Sequence, residues 1–253
     1  FPGSTFKVVT GSVGLQAGKV SNEDPVYKTA TSYTPPQTTS AISNFGGRAC
    51  GGALPEILRV SCNSAFAEMG QATIGPTDMV NGSESWGFNS APPIDLPDPA
   101  RSVFPTDVQN NPPKLAQSSI GQNDVQATPL QMALVAAGVA NGGTIMTPHL
   151  MTEVRDSQGE EIEWYDGNAW LDPMSPELAG VMRPEDRAVQ AWTVFERAVV
   201  AEGGYRSVTF DDPAVNATVR SLGGWQRLCG LPCEEFDKWL RPDAAQIAVT
   251  GDI

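Results

Sequence analysis

The chain has 253 residues, with 16 Lys and Arg against 29 Asp and Glu, a formal charge of −13, and 40% hydrophobic residues. That is enough chain for one large or two modest domains with a buried core, while basic residues scattered singly exclude a nucleic-acid groove or an anionic-lipid surface. The longest strongly apolar run, Met132 to Ala140, is far short of the roughly 20 residues of a membrane span, so the chain as given reads as soluble.

Phe6, Val9 and Val13 recur at helical spacing, and Gly14 and Gly18 offer a stop, so residues 4 to 17 are predicted to be a short helix with Ser4 and Lys7 in its first turn. Residues 18–52, rich in Thr, Pro and Gly, read as a long ordered surface excursion. A short helix over 53–60 is expected, then Ser61-Cys62-Asn63, then a second helix carrying Ala65, Phe66 and Met69, which puts the polar triplet at a helix junction. Residues 82–119 carry Pro92-Pro93, Pro97, Pro99, Pro105 and Pro112-Pro113 and are predicted to run as extended loops.

The clearest helix spans 129–141. Thr128-Pro129-Leu130-Gln131 supplies an N-cap hydroxyl, a proline in the first turn and a glutamine three residues on, and Gly142-Gly143 ends it. Met132, Val135, Ala136 and Val139 form its expected core face. Strand, turn and strand follow over 144–154, 156–159 and 160–164. His149 is expected to be a structural histidine, and Gln122, Asn123 and Asp124 to fix the loop before the long helix. A further helix is predicted over 185–202.

Charge is uneven along the chain: 9 basic and 19 acidic residues lie in 1–185 (28 of 185), against 7 and 10 in 186–253 (17 of 68). The shift implies two segments, 1–182 and a charged helical tail over 186–253. Four cysteines divide evenly between them. Cys50 and Cys62 close a short loop compatible with a disulfide. Cys229 and Cys233 are spaced one residue too far for a C-x-x-C motif, and His149 is remote, so neither metal nor cofactor is expected. Asp211-Asp212 before Pro213 reads as a capped helix start, and Trp225 and Trp239 as anchors of the tail core. The opening Phe1-Pro2-Gly3-Ser4 reads as the interior of a domain, with any N-terminal signal or anchor outside this chain.

Ser4-Thr5-Phe6-Lys7 places a hydroxyl and an amine three residues apart, on one side of a helix start. Serine needs a base to become a nucleophile, and lysine can be that base once its surroundings lower its pKa. Ser61 and Asn63 add a second hydroxyl and an amide. These residues, with Ser64-Ala65-Phe66, Ser119-Ile120-Gly121-Gln122, Thr128-Pro129-Leu130-Gln131-Met132-Ala133, Ala140-Asn141-Gly142-Gly143 and Met146-Thr147-Pro148, resemble the transpeptidase domain of penicillin-binding proteins. Asn44-Phe45-Gly46-Gly47 and Cys50-Gly51-Gly52 look most like the class B penicillin-binding protein A type of actinobacteria.

The resemblance covers about residues 1–182 and implies an α+β fold. This stretch would be mostly the helical subdomain of a serine D,D-transpeptidase or β-lactamase-like fold, with a β-hairpin and an incomplete sheet. It implies that Ser4 is the nucleophile, Lys7 its base, Ser61 a proton relay and Asn63 a ligand for the substrate amide that also holds Lys7. The partners implied are a peptidoglycan stem peptide or a β-lactam, with other cell-wall synthesis proteins, on the extracytoplasmic face of a bacterial plasma membrane.

The sequence departs from the family where a Lys-Thr-Gly strand belongs. Its nearest echo is Val249-Thr250-Gly251, so Thr250 and Gly251 are degenerate substrate-binding candidates. Losing the cation and one oxyanion donor predicts impaired activity. After about residue 183 the family pattern stops, and Tyr205 to Pro213 and Gly223 to Cys229 are similar to a small phage-associated family of unknown function. Two expectations follow: an acyl-serine enzyme in truncated form, or a noncatalytic binding or interaction protein that retains part of the fold.

Overall fold

A computed structural model describes residues 1–165 and 167–182. The helix expected over 185–202, the tail cysteines and tryptophans, Asp211-Asp212 and the Thr250-Gly251 pair lie outside the described residues.

The first helix, α1 (Lys7–Gln16), is entered through a 3-10 turn over Gly3–Phe6. It is not the one-faced helix its apolar spacing suggests: Lys7, Thr10, Ser12, Gly11 and Gly14 are buried along with Val9 and Val13. Small residues make this possible by letting neighbours close in. A Cβ on Gly14 would lie 2.7 Å from a Val20 methyl, so Gly14 is a packing position inside the helix, not a stop. The stop is Gly18, in the left-handed region at φ 65°, with Lys19 N–H donating back to Gly14 O at 3.0 Å.

The excursion over residues 18–52 folds as a nested ribbon. β1 (Tyr27–Ala30) pairs antiparallel with β4 (Cys50–Gly52), and between them β2 (Ser32–Tyr33) pairs with β3 (Ile42–Ser43). Next come α2 (Leu54–Arg59), α3 (Asn63–Glu68) and a π-helical turn over Met69–Ile74.

The loop expected over residues 82–119 is only partly a loop. α4 (Pro76–Ser85) reaches into it and α5 (Pro112–Ser118) rises within it. Prolines in a first turn begin these helices instead of breaking them, since the N–H groups of that turn have no intrahelical partner to lose, and the Asn111 side chain caps α5 by accepting from Lys114 N–H at 3.1 Å. The stretch between them is pinned by Trp86, Phe88, Phe104 and Val108, all buried. Phe6 meets Phe88 edge-on at 5.2 Å and stacks on Phe104 at 5.5 Å.

α6 (Pro129–Ala140) lies where expected, with Thr128 Oγ1 accepting from Gln131 N–H at 3.0 Å. Its buried face is rotated from the predicted one, to Gln131, Leu134, Val135 and Gly138, and Ala136 is exposed. Gly138 decides this, because a Cβ there would lie 2.8 Å from Ile145 and 3.0 Å from Trp86. The strand expected over 144–154 is broken. β5 (Ile145–Met146) pairs with β8 (Ala169–Leu171), while β6 (Glu153–Arg155) forms a separate hairpin with β7 (Glu161–Trp164). In the break His149 is exposed and stacks on Tyr165 at 3.4 Å between centroids. α7 (Pro176–Met182) then packs Ala179 and Met182 into the core. The fold is thus α+β, with four two-stranded antiparallel sheets among the described residues.

Candidate active site

Two chain segments build the site, and each is fixed by a turn. In the first, Gly3 N–H donates to Gly121 O at 3.0 Å, holding the 3-10 turn that carries Ser4 against the loop after α5. The approach is so close that a Cβ on Gly121 would lie 2.2 Å from Gly3 O, and Gly121 itself has φ 71°. One turn farther along, the buried Thr10 hydroxyl donates to Ser119 O at 2.7 Å. Helical spacing then sets Lys7 beside Ser4.

In the second segment α2 ends in a left-handed turn. Ser61 N–H donates to Leu58 O at 3.0 Å and Cys62 N–H to Ile57 O at 2.9 Å, which puts Ser61 at φ 53°. Glycine usually holds that position; a serine there carries strain of order 1 kcal/mol, outweighed by the surrounding structure. Cys62 is bonded to Cys50, so a disulfide ties β4 to the residue between Ser61 and Asn63. Asn63 opens α3.

The segments meet at the Lys7 amine, which is fully buried. Four oxygens surround it: Asn63 Oδ1 at 2.6 Å, Ser61 O at 2.8 Å, Ser61 Oγ at 2.9 Å and Ser4 Oγ at 3.1 Å. No carboxylate is among them. Burial therefore goes uncompensated by a negative charge and lowers the Lys7 pKa from 10.5 to about 7. Two of the four oxygens, Ser61 O and Asn63 Oδ1, can only accept. A neutral amine has two N–H groups and one lone pair, so if the carbonyls take the N–H groups, the lone pair is left to the hydroxyls of Ser4 and Ser61. That arrangement can draw a proton from a serine.

Ser4, Lys7, Ser61 and Asn63 thus come together. Three supporting features stand outside the sequence-derived site: the Asn44 side chain behind α3, the Gly121 contact behind Ser4, and the Cys50–Cys62 bond. Asn44 and Gly121 lie in motifs that the family resemblance draws on, and the cysteine spacing is compatible with the bond, yet nothing local says what these residues touch. Gln122, Asn123 and Asp124 lie in the loop after α5, next to Gly121. Asp124 pairs with Lys114 at 2.6 Å, and Asn123 donates to Gln117 Oε1 at 2.9 Å. Among the described residues, no group of three or more His, Cys, Asp or Glu side chains is arranged to hold a metal ion, and no helix is long and apolar enough to cross a membrane.

The sequence profile of the penicillin binding protein transpeptidase domain matches residues 1–180. The chain belongs to this family. The peptidoglycan D,D-transpeptidase PbpA of Mycolicibacterium smegmatis is 36% identical over 186 residues, covering 72% of this chain and 37% of that protein. The PbpA of Mycobacterium tuberculosis is 35% identical, covering 70% and 36%. Among solved transpeptidase structures, the imipenem acyl-enzyme complex of penicillin-binding protein A from M. tuberculosis superposes with a TM-score of 0.70 at 30% identity, over 77% of this chain and 44% of that one. This penicillin-binding-family chain therefore spans little more than a third of the length of its curated PbpA relatives.

Proposed function

We propose that residues 1–182 form a serine D,D-transpeptidase type of site, which takes a peptidoglycan stem peptide or a β-lactam through an acyl-serine intermediate. The surroundings of Lys7 carry this reading: a buried amine with its pKa lowered to about 7, held by two carbonyl oxygens and facing two serine hydroxyls. Ser4 Oγ attacks the carbonyl carbon of the D-Ala-D-Ala bond, its proton passes to the Lys7 lone pair, and the carbonyl electrons move onto oxygen. The Ser4 backbone N–H, at the start of a helix, stabilises that oxyanion. As the adduct collapses, the C–N bond breaks, and the leaving amine takes a proton from Ser61, which regains one from the Lys7 ammonium. In a β-lactam the same bond is the ring amide, so the amine stays tethered to the acyl group. Asn63 orients Lys7 and accepts or donates to the substrate amide.

Acylation by this 253-residue polypeptide is slow on this reading. Its sequence contains no Lys-Thr-Gly or Lys-Ser-Gly, and Val249-Thr250-Gly251 is the nearest echo of that motif. One oxyanion donor is worth ~10²- to 10³-fold in rate. The site would face the extracytoplasmic side of a bacterial plasma membrane, among cell-wall synthesis proteins; the Cys50–Cys62 disulfide supports an oxidising compartment. Residues 186–253, which lie outside the described residues, would be related to the phage-associated family.

The test is incubation with a fluorescent penicillin, followed by peptide mapping. A covalent adduct on Ser4 that disappears in Ser4→Ala supports acyl transfer. No adduct at millimolar drug sinks it and favours the second reading, a noncatalytic binder, for which the absent Lys-Thr-Gly speaks.

A further inference from the structure

We propose that Asn44 is a positioning residue of this site, acting through Asn63 on the Lys7 amine; its role in catalysis rests on the acyl-serine reading above. Asn44 is only 6% exposed, and its amide is fully used. Nδ2 donates to Ala30 O at 2.8 Å and to Arg48 O at 3.0 Å, and Oδ1 accepts from Ser64 N–H at 2.8 Å. The last bond is an N-cap delivered from 20 residues away. Cys62, the residue at the N-cap of α3, makes no side-chain cap and has its sulfur committed to Cys50. Asn44 supplies the oxygen that the helix start lacks.

Capping alone would make Asn44 a structural residue, but the adjoining bond gives it a second effect. The backbone carbonyl of Ser43, the preceding residue, accepts from Asn63 Nδ2 at 3.0 Å. With its NH₂ group held there, the Asn63 amide has one orientation available, its oxygen 2.6 Å from Lys7 Nζ. Asn44 fixes where the Ser43 carbonyl stands relative to α3, because it bonds β1, the chain at Arg48 and the first turn of α3 together. Were the Asn63 amide free to flip, its NH₂ would face the amine. Lys7 would then keep only Ser61 O as an acceptor-only partner, one N–H would turn toward a serine hydroxyl, and the lone pair would no longer be directed at Ser4.

The decisive measurement follows Lys7 itself and needs no acylation. The full chain has five lysines, so the ε-carbon signal of Lys7 can be assigned by its loss in Lys7→Met and titrated by NMR in wild type, Asn44→Ala and Asn44→Ser. In both Asn44 variants the Lys7 midpoint falls by about half a pH unit or more, because the ammonium form loses its shortest acceptor. Acylation by penicillin at saturating drug slows about tenfold or more, with the half-saturating concentration unchanged. A midpoint equal to wild type overturns the proposal and leaves Asn44 a helix cap. A midpoint raised toward that of an exposed lysine also overturns it, making Asn44 a plug against water. Should Asn44→Ala fail to fold, Asn44→Ser carries the same comparison. If wild type forms no adduct, the acyl-serine reading falls while the Lys7 midpoint still decides the positioning of Asn63.

Discussion

The two segments of the site achieve the same end by different means. The Ser4–Lys7 segment obtains its internal geometry locally, from helical spacing, but its place in the molecule from a distant loop through the Gly3–Gly121 contact. The Ser61–Asn63 segment reverses this. Its shape depends on a left-handed turn that serine does not favour, and it is anchored by a disulfide and by Asn44. A hydroxyl and an amine joined by one helical turn need only be presented, whereas a hydroxyl and an amide flanking a chain reversal must be held.

Removing the Lys7 amine, the proposed base, tests what joins the segments and has the largest expected effect. Lys7→Met lowers the rate of penicillin acylation ~10²- to 10⁴-fold, as loss of a positioned base does. In wild type the rate rises with pH to half its plateau near the Lys7 pKa of about 7, since the base must be neutral; a flat profile from pH 5 to 9 would contradict this. Stability carries the same signature. Between about 7 and 10.5 the unfolded chain holds the Lys7 proton and the folded chain does not, so unfolding free energy rises with pH in wild type relative to Lys7→Met. Urea titrations of both proteins across that window give the difference.

Breaking the anchor of the second segment comes next. Reduction of Cys50–Cys62, or Cys50→Ser, removes a cross-link of sequence separation 12 and costs about 3 kcal/mol in denaturant unfolding. For the first segment, Gly121→Ala forces a Cβ into the Gly3 carbonyl at positive φ. It costs about 2 kcal/mol and slows acylation, because the Ser4 turn must withdraw. A variant with wild-type stability and rate would show that Ser4 does not depend on that contact.

The smallest effect separates the two designs most sharply. Ser61→Gly relieves the left-handed strain and raises the stability of the turn by up to about 1 kcal/mol. It also deletes a hydroxyl 2.9 Å from Lys7, and acylation falls. A more stable but slower protein, by thermal melting and penicillin labelling together, is the expected pair of outcomes.

Much of this was legible in the sequence. Pro129 with Thr128 marked the start of α6, and Gly142-Gly143 its end, because caps are local chemistry. Spacing placed Ser4 and Lys7 on one side of a helix start, and the accompanying Ser61 and Asn63 with the family resemblance made them a pair. α5 and the last turn of α4 fall within the stretch expected to run as loops, because proline density hides a proline that opens a helix. The expected face of α6 holds at Val135, Met132 and Val139 but not at Ala136, and Gly138 escapes a hydrophobic pattern because it offers no side chain, an absence that lets Trp86 and Ile145 approach.

What the sequence determined by itself is the family, and it singled out four polar side chains as candidates, since motif spacing and residue type are properties of the chain alone. Only the tertiary structure decided that these side chains surround one buried amine, that no carboxylate lies among its four oxygen partners, and that Asn44, Gly121 and the Cys50–Cys62 bond hold them there. The physical reason is separation along the chain. A pKa and a lone-pair direction depend on burial and on acceptors brought from far along the sequence, and neither is a property of any window of it.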